Sequence, residues 1–147
     1  MIAAEIAQAV SARLAVITKA NGYATDCGVR VYRGRRRLDA EAPPCVVVAE
    51  LEDTVLEQTM KGSLHLSQVY AIEAHAETTD PDNPNDLCHQ MLFDLKRAVF
   101  GPKESLHTNV RKIEYRGRTI GPRDEGTALV FASIRIAVEY AEKLGET

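Results

Sequence analysis

Three groups of residues in this chain carry side chains suited to chemistry: an oxygen-rich stretch at Asp80 to Asp86, an arginine run at Arg30 to Arg37, and dispersed cysteines and histidines. The first reads DPDNPND, dense enough in carboxylates and amides to raise the question of calcium. A calcium loop of the EF-hand type spaces oxygen ligands two apart, bends at a glycine in its sixth position and closes on a bidentate glutamate in its twelfth. Here the alternate positions after Asp80 and Asp82 are Pro84 and Asp86, the sixth is Asn85 and the twelfth is Met91. The template fails. A helix start explains the stretch better: Asn83 as N-cap, Pro84 at the first helical position where no amide hydrogen is needed, and Asp86 near the positive end of the helix dipole.

Cys27, Cys45 and Cys88 are odd in number and widely spaced, which excludes a full disulfide framework and makes reduced thiols the expectation. Cys45 and Cys88 fall in apolar surroundings, whereas Cys27 falls in a loop and is expected to be the exposed one. His65, His75, His89 and His107 form no HxxxH pair, no CxxC is present, and GxSxG, GxGxxG and GxxxxGK[ST] are all missing. No catalytic, metal or cofactor residue is therefore assigned. An enzyme reading would need His75, Cys88 and Asp86 to converge in a pocket.

The arginine run RVYRGRRR places Arg30, Arg33, Arg35, Arg36 and Arg37 around Tyr32, and Glu50, Glu52, Asp53 and Glu57 form an acidic counterpart downstream. Three uses are open. The two runs can pair within one chain as neighbours in a hairpin, at about 0.2–1 kcal/mol per exposed pair. They can meet between chains, a basic edge against an acidic one, in a head-to-tail contact. Arginines with an aromatic can also bind nucleic acid, by phosphate pairing and base stacking. The candidate contact residues are Arg33, Arg35, Arg36 and Arg37 with Glu50, Glu52 and Asp53; Arg118 and Arg123, in RGRTIGPRDEG, are second choices.

At 147 residues and a net charge of -3, the chain suits a single domain, 1–147, with no whole-surface attraction to nucleic acid or anionic lipid. No apolar run approaches the ~20 residues that cross a bilayer, and the start MIAAEIAQAV carries Glu5 where a secretory signal carries positive charge. A protein made and kept in the cytosol is the expectation.

The elements that must position these groups follow from periodicity. Ile6, Val10, Leu14 and Ile17 share one face of an amphipathic helix over Ile2 to Ala20, ended by Asn21-Gly22. Val29 to Arg36 reads as a strand, as does Cys45 to Leu56. Leu64 to Thr78 alternates strictly, with Leu66, Gln68, Tyr70, Ile72, Ala74 and Ala76 on one face. Leu87, Met91, Leu95 and Ala98 mark the capped helix, which stops at Gly101-Pro102. Asn109 to Ile120 predicts a strand bent at Gly117, and Ala128 to Tyr140 is the clearest strand of all. The order implies an α+β fold, two helices covering one face of a largely antiparallel sheet of four to six strands.

The amphipathic first helix, YAIEAHAE running through DPDNPND into LCHQMLFDLKRAVFG, then IEYRGRTIGPRDEG and ALVFASIRIAVEYAE, together resemble the tail terminator, or tail completion, proteins of long-tailed phages and prophages. The likeness is one of pattern and layout from Ala7 to about Glu142. It implies a structural virion protein that is not an enzyme and carries no cofactor. Such a protein assembles in the host cytoplasm as a homo-oligomeric, hexameric ring on the head-proximal end of the tail tube, stops tube growth and presents the surface for the head-tail connector protein. The implied partners are the tail-tube protein and the connector, with no membrane and with DNA only passing through the ring lumen. A head-closure or neck protein of the same virion region is the neighbouring alternative, and a nucleic-acid-binding module using the arginine strand is the alternative from another class.

Overall fold

The computed structural model describes residues 1–34, 43–121 and 127–145. Helix α1 (Ile2–Leu14) leads through two short 3-10 turns (Lys19–Asn21 and Cys27–Val29) into β1 (Val31–Arg33), β2 (Cys45–Gln58) and β3 (Ser63–Glu77); α2 (Pro84–Phe100), β4 (Val110–Ile120) and β5 (Leu129–Lys143) follow. The strands form one sheet in the order β1-β2-β3-β5-β4, antiparallel throughout except for β1 against β2. The fold is α+β.

Alternation builds the centre of the sheet. Leu64, Leu66, Tyr70, Ile72, Ala74 and Ala76 of β3 are buried on one face, and Val130, Ala132, Ile134, Ile136, Val138 and Tyr140 of β5 lie in register beside them. Both helices cover this face, α1 through Ile6, Val10 and Leu14 and α2 through Met91, Leu92, Leu95 and Val99, in one continuous core. Each large apolar side chain fully buried there contributes about 1.5–3 kcal/mol of transfer free energy.

Polar contacts then fix the helices. Asp94, on α2 and fully buried, accepts from Ala24 N at 3.1 Å, from Thr25 N at 2.8 Å and from the Thr25 hydroxyl at 2.6 Å. Arg13, in the last turn of α1, donates from Nη1 to Val99 O at 2.6 Å and from Nη2 to Glu104 O at 2.5 Å, tying α1 to the end of α2.

Four sequence expectations are corrected. Helix α1 ends at Leu14 rather than Ala20, because the β-branched run Val16-Ile17-Thr18 is a poor helix former and the backbone at Gly28 packs against the helix end. A Cβ on Gly28 would sit 2.8 Å from Ile17 N and O, so only glycine fits. Of the strand expected over Val29 to Arg36, β1 takes Val31–Arg33 and Val29 belongs to the preceding 3-10 turn, while Arg35 and Arg36 lie outside the described residues; β1 runs parallel to β2, not antiparallel as in a hairpin. Asn83 occupies the N-cap position of α2 without capping by its side chain; Asp80 Oδ1 instead accepts from Asp82 N and Asn83 N at 3.2 and 3.3 Å, an Asx turn that sets up the helix. Cys27 is buried, because the segment 24–28 is drawn in beneath Asp94.

Candidate interaction surface

Strand β2 has two unlike halves. Cys45 to Val48 are buried, while Ala49 to Gln58 emerge from beneath the helical layer and are mostly exposed. The exposed half holds the predicted acidic residues Glu50, Glu52 and Asp53 together with Glu57. On the neighbouring strand Arg33 stands opposite Val48, and its Nη2 lies 3.7 Å from Glu50 Oε2. Thus one predicted basic residue meets one predicted acidic residue inside a single chain, across parallel strands. With side chains 38% and 46% exposed, solvent screens the pair and it adds little to stability. Arg35, Arg36 and Arg37 lie outside the described residues.

Arg118 is not brought to this cluster. It sits on β4 at the opposite end of the sheet, where its Nη1 is 3.4 Å from His89 Nδ1 on α2. Arg123 lies outside the described residues. Arg118 has company not singled out from the sequence: Arg111, Lys112 and Arg116 share the same edge strand, with Glu114 bridging Lys112 at 3.4 Å and Arg116 at 3.0 Å. The signal was present as four basic residues within VRKIEYRGR, but it competes in the sequence with the denser run at Arg30 to Arg37. Gly117, with φ of 107°, lies at the bulge between Tyr115 and Arg118, where the bend was expected.

An apolar component adjoins the acidic edge. Val55 and Leu56 are about half exposed, and Met60 at the turn between β2 and β3 is fully exposed. Leu144 joins them from the end of β5, its amide donating to Gly62 O at 2.7 Å.

The groups an enzyme reading would need do not converge. His75 lies on the face of the sheet away from the helices, stacked on Phe131 at 5.4 Å with Nε2 3.4 Å from Glu73 Oε2. Cys88 belongs to α2 on the other face, its thiol 3.7 Å from Phe131 O. Asp86 lines a separate groove with Thr25, Asp26 and Glu77. Burial pushes the Cys27 thiol up to about 11, despite a hydrogen bond from Thr25, and pushes Cys88 up as well. Neutral, buried thiols are poor nucleophiles and poor ligands. Among the described residues no group of three or more His, Cys, Asp or Glu is placed to hold a metal ion, and no helix is long and apolar enough to cross a membrane.

No protein-family model matches the chain, and no curated protein does.

Proposed function

We propose that this chain is a structural virion protein of the tail-terminator type. Copies join into a ring, hexameric in the family the sequence resembles, that seats on the head-proximal end of a phage tail tube, ends its growth and offers its far face to the head-tail connector. A ring complementary to the tube on one face only is sufficient to stop polymerisation, since the next tube ring finds no matching surface.

The observation that carries this reading is the exposed half of β2, where Glu50, Glu52, Asp53, Val55 and Leu56, with Met60 at the following turn, place charge and apolar area outside the core. A surface mixing an apolar strip with a charged rim fits a protein partner. Nucleic acid is less well served, because Arg33 faces Glu50 and acidic residues dominate this edge.

Native mass measurement and electron microscopy of the full chain, alone and mixed with a tail-tube protein, test the proposal. Rings capping tube ends are the expected result, and charge reversal at Arg35 and Arg36 together is expected to weaken them. A chain that leaves tube length and tube ends unchanged overturns the reading, while rings that bind the connector but ignore tubes shift it to a neck protein.

A further inference from the structure

Among the described residues, two strand stretches of opposite charge lie at opposite sides of the sheet with no strand beyond them. On its outer side β2 is paired by β1 only at Val46, Val47 and Val48; from Ala49 to Gln58 no strand among the described residues occupies that side. At the other end β4 is the terminal strand, and among the described residues no backbone hydrogen bond leaves Lys112 to Ile120 away from β5. The open stretch of β2 contains Glu50, Glu52, Asp53 and Glu57 and no lysine or arginine, whereas β4 contains Arg111, Lys112, Arg116 and Arg118 against the single acid Glu114.

An open edge is a row of amides and carbonyls ready to template another strand, and charge decides which strand it accepts. Two β2 edges brought together would oppose acid to acid, and two β4 edges would oppose base to base. Only the unlike edges attract. We propose that β4 of one copy of this chain adds to the open edge of β2 in a second copy, so that the sheet continues from subunit to subunit. The inference deepens the ring reading and rests on its premise that copies associate, but it is independent of what the ring caps.

Strand direction and register agree with such a joint. Because β2, β3, β5 and β4 alternate in direction, a sheet continued in the same sense brings β4 in antiparallel to β2. In that orientation, counting one residue to one from Arg118 opposite Glu50 sets Arg116 opposite Glu52 and Arg111 opposite Glu57, and it brings the irregularity between Glu50 and Asp53 of β2 to face the one between Tyr115 and Arg118 of β4. Strand β1 closes the edge as far as Val48, whose carbonyl accepts from Gly34 N at 2.8 Å, and so limits how far the incoming strand can slide. Arg33 beside Glu50, and Glu114 between Lys112 and Arg116, are the charges already present at the joint. The contact is heterologous, the type that closes into rings when its rotation permits.

Variants of the full chain that each add one cysteine at the edge, Glu50→Cys and Arg118→Cys, test it under mild oxidation. Opposed residues of an antiparallel pair have Cα atoms about 4.5–5.5 Å apart, within disulfide reach, while Cys27, Cys45 and Cys88 are buried. The mixture of the two variants is expected to give a covalent dimer that neither gives alone. In sedimentation, Glu50→Lys with Glu52→Lys, and separately Arg116→Glu with Arg118→Glu, are each expected to weaken self-association at least about tenfold, and mixing the two is expected to restore it. No cross-link in the mixture, equal cross-linking by one variant alone, or unchanged association after charge reversal overturns the proposal. Tube capping with no edge cross-link leaves the ring reading standing with another joint; edge cross-linking without capping does the reverse.

Discussion

The Asp94 carboxylate and the Thr25 hydroxyl meet at 2.6 Å inside the core, joining α2 to the segment that links α1 with β1. The same carboxylate receives the backbone amides of Ala24 and Thr25, so three donors converge on one fully buried group. Replacing it by alanine leaves those donors unsatisfied, and buried unsatisfied donors cost about 1–3 kcal/mol each before any relaxation. Asp94→Ala is therefore expected to lower unfolding stability by several kcal/mol, about 3–5, and Thr25→Val by about 1–2. Urea unfolding monitored by circular dichroism measures both, and an Asp94→Ala loss below that of Thr25→Val would contradict this account of the network.

Tyr140 and Tyr70 couple the acidic edge to alkaline stability. Burial, followed by Glu142, Asp53 and Glu50, raises the Tyr140 phenol to about 12; burial and then Glu50 raise that of Tyr70 further. Both groups hold their proton more tightly folded than unfolded, where a phenol titrates near 10. The stability they contribute is fully present below about pH 10 and is lost as pH rises toward 12 and beyond. Unfolding free energy is expected to fall across that window. Tyr140→Phe should flatten the fall, and a slope unchanged in the variant would remove Tyr140 as its source.

How legible these features are in the sequence depends on the range of the forces that set them. Strict alternation identified β3 and β5 and the face each buries, since a period of two constrains every residue of a strand. The bend at Gly117 was equally readable, because positive φ selects for glycine locally. The parallel pairing of β1 was not: the direction of a strand relative to its neighbour is a long-range property, and three residues carry too little pattern to show it. Asp94 stayed hidden because its position on α2 borders the apolar face, and only the tertiary fold brings Ala24 and Thr25 to it. Within the candidate surface, Glu50, Glu52 and Asp53 were recognisable as charge, but Arg118 separates from Arg33 only when strand order sends β4 to the far edge.

At Gly117 the backbone has φ of 107°, beyond the region that side chains with a Cβ occupy comfortably, and no atom crowds the space a Cβ would take. Conformational strain alone should then govern substitution, at roughly 1–2 kcal/mol for alanine and more for a β-branched residue. Gly117→Val is expected to lower the thermal midpoint more than Gly117→Ala, with the bulge between Tyr115 and Arg118 flattened. Equal, negligible shifts in both variants would show that the strand can straighten there at no cost.

Arg33 and Glu50 separate folding from assembly. Their ion pair at 3.7 Å is open to solvent on both sides, so its net contribution to folding is about 0–1 kcal/mol and declines with added salt. Arg33→Ala should thus leave the urea midpoint nearly unchanged, unlike Asp94→Ala. Its effect on self-association has a definite sign: removing a cation from beside Glu50 makes the open edge of β2 more negative and should strengthen the attraction of a basic strand, most clearly at low salt. Sedimentation of wild type and Arg33→Ala over a salt series measures this, and weaker association in the variant would place Arg33 itself in the contact, as a donor to the neighbouring subunit rather than a neutralising partner of Glu50.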